Sequence, residues 1–274
     1  MRKEFLPKFL LILVNLLDNF FLKICPVLYM GLTRAQSSHD RFIFGSDIIK
    51  KFKKNDSISV LDVGCGAGNF YAYLKSFFLN SKYVGIDFNI NHILSSKFSK
   101  KNFTLYNQDI RKTWFYGEFD FVLSSEVIEH IIDDNFFFQN LVKSTKKGGY
   151  IILTTPHYDS YINFANKFGW SKKASIVEDG GHVKLGYSDK EIEIFAKKFN
   201  LNLIDIFFIT ECDDFRAKNI NKFNAGLNCY MFNALYFMRL VRYKRYVPIS
   251  KVDNKLKYYC VGAVFQKNNS VQRP

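Results

Sequence analysis

Residues 62–68 read DVGCGAG, which sets Gly64, Gly66 and Gly68 at alternate positions in a chain with only 15 glycines among 274 residues. Fixing a glycine costs more backbone entropy than fixing any other residue. The cluster therefore needs a reason: a sharp turn, a positive φ, or a backbone that must approach a ligand more closely than a Cβ allows. The stretch before it, 57–63, is apolar and β-branched, and Phe70, Tyr73, Leu74 and Phe77 follow at helical spacing within 69–78. The glycines fall on a strand-to-helix turn, whose free N–H groups and positive helix end favour an anion or an electron-rich ligand. Their GxGxG spacing departs from the GxGxxG of dinucleotide sites. Three carboxylates lie at neighbouring strand ends. Asp87 closes KYVGID, where a carboxylate accepts from both hydroxyls of a ribose; Asp109, in NQDI, is placed to accept from an exocyclic amino group; Asp62, before the turn, can meet an ammonium directly or through water. Together they describe a ligand with a ribose, an adenine and a cationic amino acid end. Cys65, inside the turn, reads as a small filler and not as a nucleophile.

The elements that must position these groups alternate. Strands are expected over 57–63, 82–87, 103–106, 119–124, 150–154, 201–209 and 258–265, and helices over 69–78, 90–98, 127–145 and 188–200. Strands separated by helices imply an α/β fold, a Rossmann-like parallel sheet with crossovers on both faces, and ligands in such a sheet bind beyond the carboxyl ends of the strands. A chain of this length that is 48% hydrophobic can bury one full core. The expected division is an N-terminal helical cover (1–50), the main domain (51–210 and 253–267) and an insertion before the last strand (211–252). The five cysteines form no CxxC pair, which fits a reducing, cytoplasmic setting and argues against structural zinc or a disulfide framework. The net charge of +14 calls for an anionic contact without naming it. Residues 9–17 carry no charge, about half of what a bilayer crossing needs. With Lys8, Asn15, Asp18, Asn19 and Lys23 on one side, the segment is amphipathic and suits either a cover on the domain or a membrane surface. Arg2 and Lys3 precede it as in a signal peptide, but no Ala-x-Ala-like cleavage site follows.

Five motifs in order carry a resemblance: VLDVGCGAGNF (60–70), VGIDFN (84–89), NQDI (107–110), FDFVLSSEVIEHI (119–131) and KKGGYIILTTP (146–156). Over about residues 57–267 the chain resembles the class I S-adenosylmethionine-dependent methyltransferases, and the EVIEH segment is most similar to the ubiquinone-biosynthesis-like O-methyltransferase branch. The resemblance implies S-adenosyl-L-methionine as cofactor. The glycine turn (Gly64, Cys65, Gly66, Gly68) and Asp62 would then take its methionine portion, Asp87 with Phe88 the ribose end, and Asp109 with Ile110 the adenine edge and face. Ser125 and Glu126 would line the same pocket. It also implies a seven-stranded sheet, mostly parallel, whose last strand inserts antiparallel.

Methyl transfer from a sulfonium is an in-line displacement, so alignment carries much of the catalysis. An oxygen acceptor must also lose a proton, which a histidine accepts best near neutrality. His157 follows the fifth strand and His182 lies in EDGGHVKLGYS, both on segments expected to cover an acceptor, and each equally fits a structural role. His130 fits a loop-orienting role as well as a catalytic one, and His39 and His92 sit on less promising elements. Residues 158–185, with Trp170, form the expected acceptor cover. In the insertion, MFNALYFMRLVRYKRY interleaves aromatics with Arg239, Arg242, Lys244 and Arg245, a pattern suited to phosphate or anionic lipid. A small-molecule or glycolipid O-methyltransferase with a peripheral membrane contact is the leading expectation. An RNA methyltransferase is supported by charge and aromatics, but strand four ends in SSEV without an Asn/Asp-Pro-Pro-aromatic motif. A non-catalytic cofactor-binding protein is the third reading. No metal ligand set is expected.

Overall fold

The computed structural model describes residues 36–52, 57–75, 80–98, 102–112, 115–178, 180–212 and 245–269. The stretch 9–17 and the basic aromatic run through Lys244 lie outside them. In chain order the elements are α1 (Gln36–Phe52), β1 (Ser59–Val63), α2 (Phe70–Leu74), β2 (Lys82–Asp87), α3 (Ile90–Leu94), β3 (Phe103–Asn107) and β4 (Phe119–Ser125). A 3-10 turn (Ile128–His130) leads to α4 (Asp134–Ser144), β5 (Thr145–Pro156), α5 (Tyr158–Phe168), α6 (Asp189–Lys198), β6 (Leu201–Glu211), β7 (Tyr246–Pro248) and β8 (Tyr258–Lys267).

One sheet runs in the order β3-β2-β1-β4-β5-β8-β6-β7. β1 to β5 pair in parallel, and β8 enters antiparallel between β5 and β6. The seven expected strands are present; β7 adds a three-residue eighth, antiparallel to β6, inside the stretch expected as an insertion. Residue alternation along the strands feeds two cores. Leu61 and Val63 of β1 pack with Phe138 of α4 and Phe195 of α6, whereas Val60 packs with Phe44 and Ile48 of α1 and Tyr73 of α2. Helices thus cover both faces.

Two boundaries differ from the pattern reading. The division expected at residue 50 falls inside α1, whose Phe44 and Ile49 are fully buried, so this helix is a layer of the domain. The helix expected over 127–145 is broken, because the Asp133 carboxylate accepts the Phe136 N–H at 2.9 Å and starts α4 afresh, leaving a separate 3-10 turn before it. That turn holds Glu129 inward. Strand order reverses around β1, flanked by β2 and β4, which fixes the crevice at the carboxyl ends of those strands as the place for a ligand. Among the described residues no helix is long and apolar enough to cross a membrane.

Candidate active site

The three glycines do different things. All have positive φ (74°, 56° and 74°), but a Cβ on Gly64 would meet Val127 Cγ2 at 2.2 Å, and one on Gly68 would meet the Phe103 ring at 2.8 Å. A Cβ on Gly66 would meet nothing within 4 Å. Gly64 and Gly68 serve packing, and Gly66 faces open space. The Gly66 N–H donates to Asp87 Oδ2 at 2.9 Å, and Asp87 Oδ1 accepts from the Asn89 N–H at 2.9 Å with His92 Nδ1 at 3.2 Å. Asp87 therefore holds the turn in shape from the end of β2. Phe88 beside it projects into solvent, while Cys65 is buried against Gly85, where burial raises its thiol pKa.

Asp62 is buried behind the turn and accepts a short hydrogen bond from the Tyr83 hydroxyl. Burial pushes its pKa up to about 7, so this carboxyl holds its proton far more readily than an ordinary aspartate. Asp109 is gripped by Arg111, whose Nε lies 3.0 Å from Oδ1 and whose Nη2 lies 2.7 Å from Oδ2. The same guanidinium donates to Glu178 at 2.6 Å, which ties the cover segment to the loop after β3. Ile110 is buried in the core beneath that loop. The Ser125 and Thr154 hydroxyls meet at 2.9 Å across the ends of β4 and β5.

Beyond β4 lies a second group of charges. Glu126 takes a positive φ of 58°, rare for a residue with a Cβ. Its Oε2 lies 3.7 Å from Arg41 Nη1, both side chains being mostly buried. Glu129 is fully buried, with Oε2 accepting from the Thr155 hydroxyl at 3.1 Å and Oε1 3.9 Å from His130 Nε2. Burial first, and the charge of Glu126 second, raise the Glu129 carboxyl well above the usual range. His130 Nδ1 lies 2.9 Å from the Gly181 carbonyl oxygen. A carbonyl only accepts, so Nδ1 carries a proton, and Nε2 faces Glu129. The His182 ring packs edge-on against His130 with centroids 4.8 Å apart, and burial keeps it neutral at pH 7. Glu129, His130 and His182 offer one carboxylate oxygen and two imidazole nitrogens within 4.8 Å of one another, a donor set that could also hold a divalent cation. Tyr161, Trp170 and Tyr259 form an adjoining aromatic wall.

A family described as "Methyltransferase domain" matches residues 38–206. The chain belongs to this methyltransferase family. It is 32% identical over 119 residues to a ubiquinone biosynthesis O-methyltransferase of Pelagibacter ubique, a match covering 40% of this chain and 49% of the relative. The same enzyme name applies to a Hydrogenovibrio crunogenus protein, 27% identical over 167 residues, with 57% of this chain and 67% of the relative covered. The chain thus spans from half to two-thirds of these relatives. The plantazolicin methyltransferase BpumL, solved with S-adenosylhomocysteine, shares the fold at a TM-score of 0.54 and 16% identity, over 87% of this chain and 85% of that one.

The methyltransferase turn fits its cofactor, S-adenosylmethionine, on two observations: Gly66 faces open space, and two carboxylates stand on neighbouring strands' carboxyl sides, Asp87 at the end of β2 and Asp109 in the loop after β3. Gly66→Ala should leave a folded protein, less stable by about 1–2 kcal/mol for its left-handed backbone, with S-adenosylmethionine binding largely lost. Gly64→Ala should not fold, because Val127 occupies the position of the new Cβ. Thermal unfolding and calorimetry on both variants separate the two roles.

The placement of His157 corrects the expectation that it serves as a base. It is fully buried, and its Nδ1 accepts from the Ser160 N–H as the N-cap of α5. Its Nε2 lies 3.9 Å from Asp159 and from Asp189, whose carboxylates are bridged by Lys255 at 3.1 and 3.4 Å. Burial pushes its pKa down to about 4, outweighing the two carboxylates. A folded pKa below the unfolded value near 6.5 means that the unfolded chain takes the proton first. The stabilisation is therefore complete above pH ~6.5 and is lost as pH falls toward about 4, a change of about 3 kcal/mol. His157→Asn, which keeps a capping side chain, should remove this slope when urea unfolding is compared at pH 7 and pH 4. Identical slopes in the two proteins would show that His157 is not held neutral.

The residues that sequence reasoning passed over are Arg41, Arg111, Glu129 and Glu178. Glu129 had a signal, since it stands three residues from Glu126 in EVIEH; Arg41 had none, being one of five charged residues along α1.

Proposed function

We propose that the protein transfers the methyl group of S-adenosylmethionine to an oxygen of a small-molecule, lipid-linked or saccharide-linked acceptor. The cofactor supplies the methyl as an activated sulfonium substituent; the chain must hold it, orient the acceptor and take the acceptor's proton. Gly66, Asp87 and Asp109 are the residues that would hold it. One observation carries the choice of oxygen: the buried Glu129 carboxyl, with Oε1 free of any hydrogen-bond partner among the described residues, faces His130 Nε2 beside the neutral His182. A hydroxyl entering between the aromatic wall and this cluster finds a neutral imidazole able to accept its proton. Arg41 Nε and Glu126 Oε1, buried and also without partners, are a donor and an acceptor for the rest of a polar acceptor molecule. The ubiquinone-type relatives support the same reading, at low identity.

The test is incubation with methyl-labelled S-adenosylmethionine and fractionated lipid, saccharide and RNA extracts. Label is expected in a phenolic or sugar ether that survives mild base. Label confined to RNA would overturn the reading in favour of a nucleic-acid enzyme. A second reading of the cluster, as a divalent cation site, is favoured by the unpartnered Glu129 oxygen. Turnover abolished by a chelator and restored by a single metal would select it.

A further inference from the structure

The cover segment carries an apolar tip. Ile176 is 90% exposed and Val177 53%, and Ile132, 63% exposed, is drawn to the same place because its N–H donates to Glu178 Oε1 at 2.8 Å. The tip is built to point outward. The Ser175 N–H donates to the His182 carbonyl at 2.7 Å, while the Ser175 hydroxyl donates to the Val177 carbonyl at 2.8 Å and accepts the Val177 N–H at 3.3 Å. These bonds pin the two flanks of Ile176, and Arg111, in the loop after β3, holds Glu178. Three large aliphatic side chains held in water by a hydrogen-bonded frame mark a contact surface, since none of these hydrogen bonds needs them there.

Charge names the contact. Lys172 and Lys173 precede the tip and are exposed, and Lys112, next to Arg111, is exposed as well. The acidic groups nearby are engaged: Glu178 with Arg111 and the Ile132 N–H, and Asp133 with the Phe136 N–H. An aliphatic tip preceded in the chain by two exposed lysines and tied to the exposed Lys112 through Arg111 and Glu178, on a chain of net charge +14, matches a bilayer, with the aliphatic groups below the headgroups and the ammonium groups among anionic ones. We propose that the Ile132, Ile176 and Val177 tip inserts into anionic lipid bilayers. Since Ser175 is bonded to His182, insertion brings the acceptor side of the crevice to the membrane surface, where an acceptor with an apolar tail could enter without crossing water.

The tip is built from other residues than the stretch 9–17 and the run near Arg239, and its test needs no acceptor, so it stands or falls apart from the proposed reaction. Vesicles of phosphatidylcholine, with or without phosphatidylglycerol, are floated with wild-type protein, with Ile176→Asp/Val177→Asp and with Lys172→Glu/Lys173→Glu, at low and high salt. Circular dichroism and thermal unfolding of each variant establish that it is folded. Wild type should float with the phosphatidylglycerol vesicles, more weakly at high salt. The aspartate variant should lose at least about tenfold in partitioning at either salt, and the glutamate variant should lose the preference for anionic vesicles. Flotation of the aspartate variant equal to wild type would assign membrane contact to another segment and overturn the proposal, as would a wild type that stays with the soluble fraction. Concentration-dependent self-association of wild type that the aspartate variant abolishes, without flotation, would make the tip a contact between copies of the chain and equally overturn it.

Discussion

Asp87→Ala should weaken S-adenosylmethionine binding by about 2–3 kcal/mol, which is roughly 30- to 150-fold in Kd, while the protein stays folded. The size follows from two losses at one position. A carboxylate accepting from ribose hydroxyls makes charge-assisted bonds, stronger than neutral ones, and in a crevice with little access to water their removal is not compensated. The same carboxylate also holds the glycine turn through Gly66 and Asn89, so alanine frees the backbone whose open side receives the cofactor. Asp87 is only 6% exposed and sits at the end of a strand paired on both sides, so the sheet itself does not depend on it. Asp87→Asn is an informative companion: its amide oxygen can still accept one of the two backbone N–H groups, but its NH2 opposes the other, so it should bind more weakly than wild type. Calorimetry on the folded variants measures both. Unchanged affinity in Asp87→Ala would remove the central contact from this assignment.

The sheet was legible because its signals are periodic and long. Apolar strands closed by Asp87, Asp109 and the GxGxG turn place their ends at one edge whatever the details of the loops, and the fold agrees. What escaped is what depends on a partner distant in sequence. Whether a glycine is there for a ligand or for packing is decided by the atom facing it: Val127 lies 63 positions from Gly64 and Phe103 lies 35 from Gly68. Position after β5 marks His157 as a candidate base, but a side chain at a helix start turns back to cap its own N–H groups, and that local bond directs the imidazole into the core. β7, three residues long, is too short to show a period at all. Glu129 is the instructive case. On a continuous helix it would share a face with Glu126, whereas the break at Asp133 makes a 3-10 turn and buries it against Thr155.

Glu129→Gln and His182→Ala should each lower turnover by about 100-fold or more, equivalent to about 2.7 kcal/mol of transition-state stabilisation, with S-adenosylmethionine affinity changed less than about twofold. His182 is half-buried, neutral and next to His130, so it can take a proton from an acceptor without first giving one up. Glu129 lies behind them, its carboxyl biased toward the protonated form by burial and its Oε1 3.9 Å from His130 Nε2. When the acceptor's proton arrives on the imidazole pair, the developing positive charge lowers the cost of ionising Glu129, whose own proton is released to water past the part-exposed His130, and the carboxylate so formed stabilises the pair in a way that glutamine, being unable to ionise, cannot. Groups that share one proton act as a unit, so the Glu129→Gln/His182→Ala double variant should be no slower than the worse single one. Initial rates with labelled cofactor at saturating concentration measure all three. Additive losses would mean that the two residues act independently, one as base and the other as part of the scaffold. A matching loss of cofactor affinity would mean that both support the cofactor pocket and leave the proton without a recipient in this cluster.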